Sequence, residues 1–272
     1  MNGPFDRAEE PATKPRPSTM PVNWFRRAGY SALAVYALYA ASTLEVTLDR
    51  FLRGLGQGAV FLGRMWPPAF DPMRMELLQQ GMTESVQIAI LATFCGVLLS
   101  LPLGLLAARN LMPSYISWTA RALIALCRAF HPVIVAILFV KAVGFGALAG
   151  IMALIVASIG FISKLFAEAI EELNHKQVEA VRATGASFFG VLFMAVLPQV
   201  MARFVGFASY QLDVNLRTST MVGIVGGGGI GATLFTAYQR FDFDFVLTIL
   251  MAIIAIIMMS EIISNALRRL FQ

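Results

Sequence analysis

Charge is scarce in this chain. Asp, Glu, Lys and Arg make up 14% of its 272 residues, against about 25% in an ordinary soluble domain. Histidine occurs only at His131 and His175, with no metal-ligand spacing around either. Acids and histidines this sparse supply neither the nucleophile–base set nor the metal cluster that an intramembrane enzyme needs. The two cysteines, Cys95 and Cys127, each lie in an apolar segment, so they read as small membrane-core residues rather than as a disulfide. What fills the chain instead is apolar: 58% hydrophobic residues, a mean hydropathy of +0.72, and several runs near the roughly 20 residues that span a bilayer. The net charge of +5 comes from basic residues at span ends, not from a patch, and so does not indicate a nucleic-acid partner.

Residues 1–22 are Pro-rich, charged and aperiodic, which predicts a disordered tail. Trp24-Phe25-Arg26-Arg27 reads as an interfacial anchor. A first short span is predicted over about 29–44, with a signal-peptide core as the competing reading of the same run. Leu48, Phe51, Leu52 and Leu55 recur at helical spacing, opposite Asp49, Arg50 and Arg53. That pattern predicts a helix in the membrane interface, ended by Pro67-Pro68. Together these segments form a region over 23–80. Five further spans are predicted at about 82–108 (with Pro102 as a kink), 116–140, 142–163, 200–215 and 245–267. The fold class is therefore all-α, a polytopic membrane protein of about six transmembrane helices, with 81–272 as the main membrane domain.

Six spans place both termini on one side. Arg26, Arg27, Arg109, Arg121, Lys164, Lys176, Arg182, Arg203, Arg268 and Arg269 fall on that side, and fewer basic residues fall on the other. The excess puts the termini in the cytoplasm.

One polar island interrupts the apolar runs. Glu168, Glu171, Glu172, Asn174, His175, Lys176 and Gln177 lead into Glu179-Ala180-Val181-Arg182-Ala183-Thr184-Gly185, and nine residues later comes Ala195-Val196-Leu197-Pro198. Ala180, Ala183 and Ala186 suggest a smooth face for close approach, and Gly185 a helix end or bend. An ordinary amphipathic loop helix would satisfy the same pattern. The island, over about 165–198, resembles the EAA loop in the membrane subunits of ATP-driven (ABC) importers. Glu179, Ala180, Gly185, Leu197 and Pro198 match at the family's spacings, Val181 stands for its third small residue and Ala195 for its Ile. The resemblance implies the type I importer fold, with Glu179, Ala180, Arg182, Gly185, Leu197 and Pro198 docking onto an ATPase. It also implies an ABC ATPase dimer that holds ATP and Mg, a second copy of this chain, an extracytoplasmic substrate-binding protein and the bacterial inner membrane. This chain itself would carry no cofactor and catalyse no bond chemistry.

The second unusual stretch is Asp213 to Gly231, rich in Ser, Thr and Gly. Gly226, Gly228 and Gly231 fit G-x-G-x-x-G, but membrane spans flank them where a dinucleotide fold needs a strand and a helix. No Lys-Ser/Thr follows, so this is not a P-loop either. Four consecutive glycines between spans predict a broken or re-entrant helix, which is tolerated only within protein or beside a cavity. Its amides, the hydroxyls of Thr218, Ser219 and Thr220, and Arg217 would suit an anion in transit. Tight packing through small residues is the competing reading.

Asn215-x-Arg217-x-Ser219-Thr220, then Gly223-x-Val225-Gly226 and Gly-Gly-Ile-Gly, is similar to the permease subunits of phosphonate- and phosphite-type importers. Pro102-Leu-Gly104 through Arg109-Asn110 is similar to them too. The resemblance covers about 75–270 and implies a small phosphorus oxyanion as substrate. It assigns Asn215, Arg217, Thr218, Ser219, Thr220, Gly226 and Gly228 to the pathway. Methionine-type permeases share both elements and are the alternative; an ion-coupled transporter would need an inverted repeat, and none is visible. Arg128 has two readings: an anion-path residue, or a side chain that snorkels or pairs with a carboxylate such as Glu84. His131 before Pro132 reads as a kink or packing feature, and Asp213 either as a partner for Arg217 four residues on or as a gating residue.

Overall fold

The computed structural model describes residues 24–44 and 47–271, and all regular structure among them is helical. The tail expected over 1–22 lies outside these residues. The chain divides into two compact units, residues 1–61 and 62–272.

In the first unit, α1 is Trp24–Thr43, and α2, Leu48–Arg64, runs across the boundary. The apolar residues of α2 are exposed along with its charged ones, and Arg53 bridges back to Asp49 at 2.7 Å. Helix α2 stops at Arg64, just ahead of Pro67-Pro68, as the sequence predicts.

In the second unit, α3 is Pro72–Ala107, α4 Ser114–Ala129, α5 Pro132–Val143 and α6 Ala147–Glu171. Helix α7 is His175–Ala183, α8 Phe188–Val191, α9 Leu197–Ile224, α10 Ile230–Gln239 and α11 Phe243–Phe271. Pro72 opens α3, where a missing N–H costs nothing, and the helix runs on through Pro102. Among the described residues, four stretches are each long and apolar enough to cross a bilayer: α3, α6, Phe188–Ile224 and α11. Helices α4 and α5 reach that length only together, with an 89° bend between them. The bend has a local cause. A residue before proline is pushed out of the α region, and His131 is extended at φ −67°, ψ 140°. Its Nδ1 accepts from the Val133 amide at 3.4 Å, so His131 caps α5.

Helix α3 packs along α6, and small residues set the distance. Gly96, Ser100 and Gly104 recur every four residues on α3 and meet Ser158, Ser163 and Phe166 on α6. A Cβ at Gly104 would lie 2.7 Å from the Phe166 ring. Apolar side chains give no net driving force between helices in lipid, so this close approach supplies the packing energy instead. The Phe166 ring also meets that of Phe204 on α9, tilted by 59° and 4.8 Å away between ring centres.

Several span ends differ from expectation, the second span among them, which starts at Pro72 rather than near 82. The fourth span continues past Lys164 to Glu171. The fifth starts earlier and ends later than 200–215, because the polar residues Asn215 to Thr220 remain inside α9. Their side chains bond within and between helices, so polarity there does not mark a loop.

Candidate functional site

The polar island folds as α7 on a rigid base. Glu171 at the end of α6 accepts from the Arg109 amide at 2.7 Å and from Arg121 at 2.6 Å. Asn110 donates to the Ile170 carbonyl at 2.8 Å. These bonds tie the end of α6 to the α3–α4 turn. Asn174 then caps α7, its side chain accepting from the Lys176 amide at 3.1 Å, as short polar residues do at N-caps.

Val178 is buried and Val181 half-buried against Ile170, Val191, Leu192 and Val196. Val181, the departure from the third small residue of the motif, thus points into the core. Glu179, Ala180, Arg182 and Ala183 are exposed together, whereas Ala186 turns toward the core. Gly185 has φ +77° and its amide donates to the Arg182 carbonyl at 3.0 Å, the left-handed helix end that glycine takes without penalty.

Leu197 and Pro198 begin α9, immediately after a π-helical turn, Leu192–Val196. The proline ring would collide with the Met194 carbonyl, four residues back, in a regular α-helix. The wider turn relieves that collision and lets α8 continue into α9. Leu197 packs on the cluster beneath α7 while Pro198 is exposed.

The glycine stretch forms a second site. Helix α9 ends at Ile224, and the loop after it takes positive φ at Gly226 (100°), Gly228 (78°) and Gly229 (74°). Helix α10 then starts again at Ile230, so the predicted break exists but sits later than Arg217. The loop is pressed between three helices. The Ile230 amide donates to Ser85 Oγ of α3 at 2.9 Å, and the Gly146 amide donates to the Gly226 carbonyl at 2.9 Å. A Cβ at Gly228 would lie 2.7 Å from a Glu84 carboxylate oxygen and 2.8 Å from the Ala147 amide.

The other residues assigned to the pathway lie on α9 or on α4. Asn215 is 1% exposed and sits in a polar knot. Its Nδ2 donates to Thr93 Oγ1 of α3 at 2.8 Å and to Ser158 Oγ of α6 at 2.9 Å, and its Oδ1 accepts from Gln211 at 3.0 Å. Arg217 is exposed and pairs with Asp213 at 3.2 Å, the pairing expected from their spacing. Thr218 and Ser219 donate back to the carbonyls of Val214 and Leu216, and Thr220 is half-buried. Arg128 is not with these residues: it lies against Gly160 of α6 and lines a cavity with Arg121 and Lys164. Thr93, Ser158, Gln211 and Ser85 were not singled out from the sequence. Each is a polar residue within an apolar helix, and that is the signal that finds them.

A bundle of membrane-crossing helices, a capped helix presented outside the apolar core and a glycine-broken helix define a membrane permease subunit. Residues 100–272 match the family described as binding-protein-dependent transport system inner membrane component, and the chain belongs to that family. It is 36% identical over 254 residues to the phosphite transport system permease protein of Stutzerimonas stutzeri, covering 92% of each chain. It is 44% identical over 206 residues to the phosphate-import permease protein of Mycolicibacterium smegmatis, covering 75% of this chain and 38% of that protein. The fold resembles the methionine ABC transporter MetNI solved in inward-facing conformations: TM-score 0.65, 23% identity, 75% of this chain and all of that one. At that identity the likeness concerns the fold alone.

Proposed function

We propose that this chain is the pathway-forming subunit of an ATP-driven importer for a small phosphorus oxyanion: phosphonate, phosphite or phosphate. The observation that carries the reading is the similarity along 92% of both chains to a phosphite permease. The match to the phosphate-import relative supports the same chemical class, although the chain spans little over a third of that protein. Two copies enclose the pathway, two ATPase subunits dock on the α7 helices, and a binding protein delivers the anion from outside. ATP and Mg are held by the ATPase partner. Both termini and α7 face the cytoplasm, and the methionine reading is the lesser one.

The exposed face of α7 suits this role. Ala180 and Ala183 present two methyl groups, which allows a partner groove to approach closely, and Glu179 sets a carboxylate beside them. The base formed by Glu171, Arg109 and Arg121 transmits a push on α7 to α3, α4 and α6 rather than letting it dissipate in a loose loop. Gly226 to Gly229 lie where α3 and α6 meet the end of α9, so a shift of α6 against α3 would deform the broken helix first.

The test is co-expression with candidate ATPase and binding-protein subunits, followed by ATPase assays in liposomes with phosphite, a phosphonate, phosphate and methionine. Stimulation by a phosphorus oxyanion and none by methionine is expected. Stimulation by methionine alone would overturn the substrate class.

A further inference from the structure

Arg128 has a position that the transport reading does not by itself explain. It packs about halfway along α6, where a Cβ at Gly160 would come 2.7 Å from its Cγ. The missing side chain at Gly160 is thus what gives the arginine stem its room. Among the described residues the Arg128 guanidinium has no ion-pair partner, and the pairing with Glu84 weighed from the sequence is not formed. A cation within a membrane-crossing segment is costly unless it reaches water or an anion.

The stem leads toward the end of α6 that carries α7. There Arg128, Arg121 and Lys164 line a cavity of about 150 Å³, walled by Ile124 and by the small residues Ala125 and Ala167. Arg121 and Arg128 are seven residues apart and so share one face of α4. The three cations are not equally satisfied. Arg121 is held by Glu171 at 2.6 Å and by the Ala107 carbonyl at 2.9 Å. Lys164 has only Glu168, at a looser 3.5 Å. The cluster therefore offers one fixed guanidinium, one weakly paired ammonium and one unpaired guanidinium around a space fit for a small group.

We infer that Arg128, Lys164 and Arg121 form a binding site for a phosphate-type anion at the α7 end of the cleft between α4 and α6. A planar guanidinium engages two phosphate oxygens at once and an ammonium adds a point charge. Basic pockets between membrane helices on the cytoplasmic side take lipid headgroups by the same chemistry. The anion has two possible sources: the phosphodiester of an anionic lipid, or the transported oxyanion on its way out. The second source rests on the proposed function; the first does not.

Thermal unfolding of the full chain in a zwitterionic detergent separates the two. Short-chain phosphatidylglycerol is titrated in one arm and methylphosphonate or phosphite in the other, at fixed ionic strength. At least one probe should raise the Tm of the wild type. Arg128→Gln and Lys164→Gln should each weaken the apparent affinity for that probe by about tenfold, the scale of a lost charge-assisted hydrogen bond. Arg53→Gln, which alters the exposed pair with Asp49 on α2, should leave it unchanged. Response to the lipid alone assigns a headgroup site, and response to the small oxyanion alone assigns a station on the pathway. No response to either probe, or an equal response in wild type and both variants, would overturn the site. Wild-type uptake of phosphite, measured separately, reports on the proposed function without reference to this cavity.

Discussion

The hydroxyl of Ser85 accepts the Ile230 amide at 2.9 Å, a single bond that fixes the start of α10 onto α3, 145 residues earlier in the chain. The first N–H groups of a helix have no partner inside it. Ile230 is buried, so water does not replace this acceptor. The Gly229 backbone also comes so near Ser85 that no side chain fits between them. Ser85→Ala should therefore leave a buried donor unpaired and destabilise the purified chain by about 1–3 kcal/mol. Thermal unfolding in detergent checks this; an unchanged Tm would mean that another acceptor serves Ile230.

Asn215 ties three helices at one point, through Thr93 of α3 and Ser158 of α6. Hydrogen bonds between membrane helices contribute modestly, about 0.6 kcal/mol on average and up to about 1.7. A double-mutant cycle of Asn215→Ala with Thr93→Val should give a coupling energy within that range. Coupling near zero would mean that the contact contributes nothing to holding α3 against α9.

Some of this architecture was legible in the sequence because local chemistry dictates it. Pro132 decides the bend after His131, and Gly185 decides the end of α7. The amphipathic spacing of Leu48, Phe51, Leu52 and Leu55 decides α2. Other features depend on partners far along the chain. Asn215 to Thr220 look like a loop in one dimension, but they stay helical because Thr93 and Ser158 satisfy Asn215 and because Thr218 and Ser219 bond to their own helix. Likewise Val181 looks like a lapse in a small-residue motif until its neighbours Ile170 and Val196 are seen. The π turn before Pro198 could be foreseen only as some distortion, since a proline within a helix permits several.

Gly185→Val tests the docking role of α7. Valine is strained at φ +77°, costing roughly 1–2 kcal/mol, and no atom lies within 4 Å of a Cβ there. The damage should therefore be to the direction of the chain leaving α7, not to the core. Uptake and co-purification with the ATPase should fall together while membrane abundance stays near normal. Normal uptake would remove α7 from the coupling path.

Orientation can be read by labelling. Gln57 on α2 and Gln177 on α7 are both exposed. A cysteine at Gln57 should react with an impermeant maleimide in intact cells, in a background with Cys95 and Cys127 replaced by Ala. A cysteine at Gln177 should react only after permeabilisation. Labelling of Gln177→Cys from outside would invert the topology and detach α7 from any cytoplasmic ATPase.

The glycine loop gives the sharpest contrast between two variants. If hydroxyls guide the anion, Ser219→Ala with Thr220→Val should reduce uptake. However, the Ser219 hydroxyl already donates to the Leu216 carbonyl at 2.8 Å, so that loss should be partial. Gly228 has less latitude. Its φ of 78° disfavours any side chain, and a Cβ would press on a Glu84 oxygen at 2.7 Å and on the Ala147 amide at 2.8 Å. One of those contacts is the backbone of α6 and cannot give way cheaply. Gly228→Leu should therefore push α6 from α3 and abolish uptake, with a Tm loss larger than that of the Ser219/Thr220 pair. Uptake and Tm measured on both variants in assembled complexes decide the matter. Near-normal transport by Gly228→Leu would mean that the broken helix does not have to close against α3 and α6, and the route would then be sought along Arg128 and Lys164.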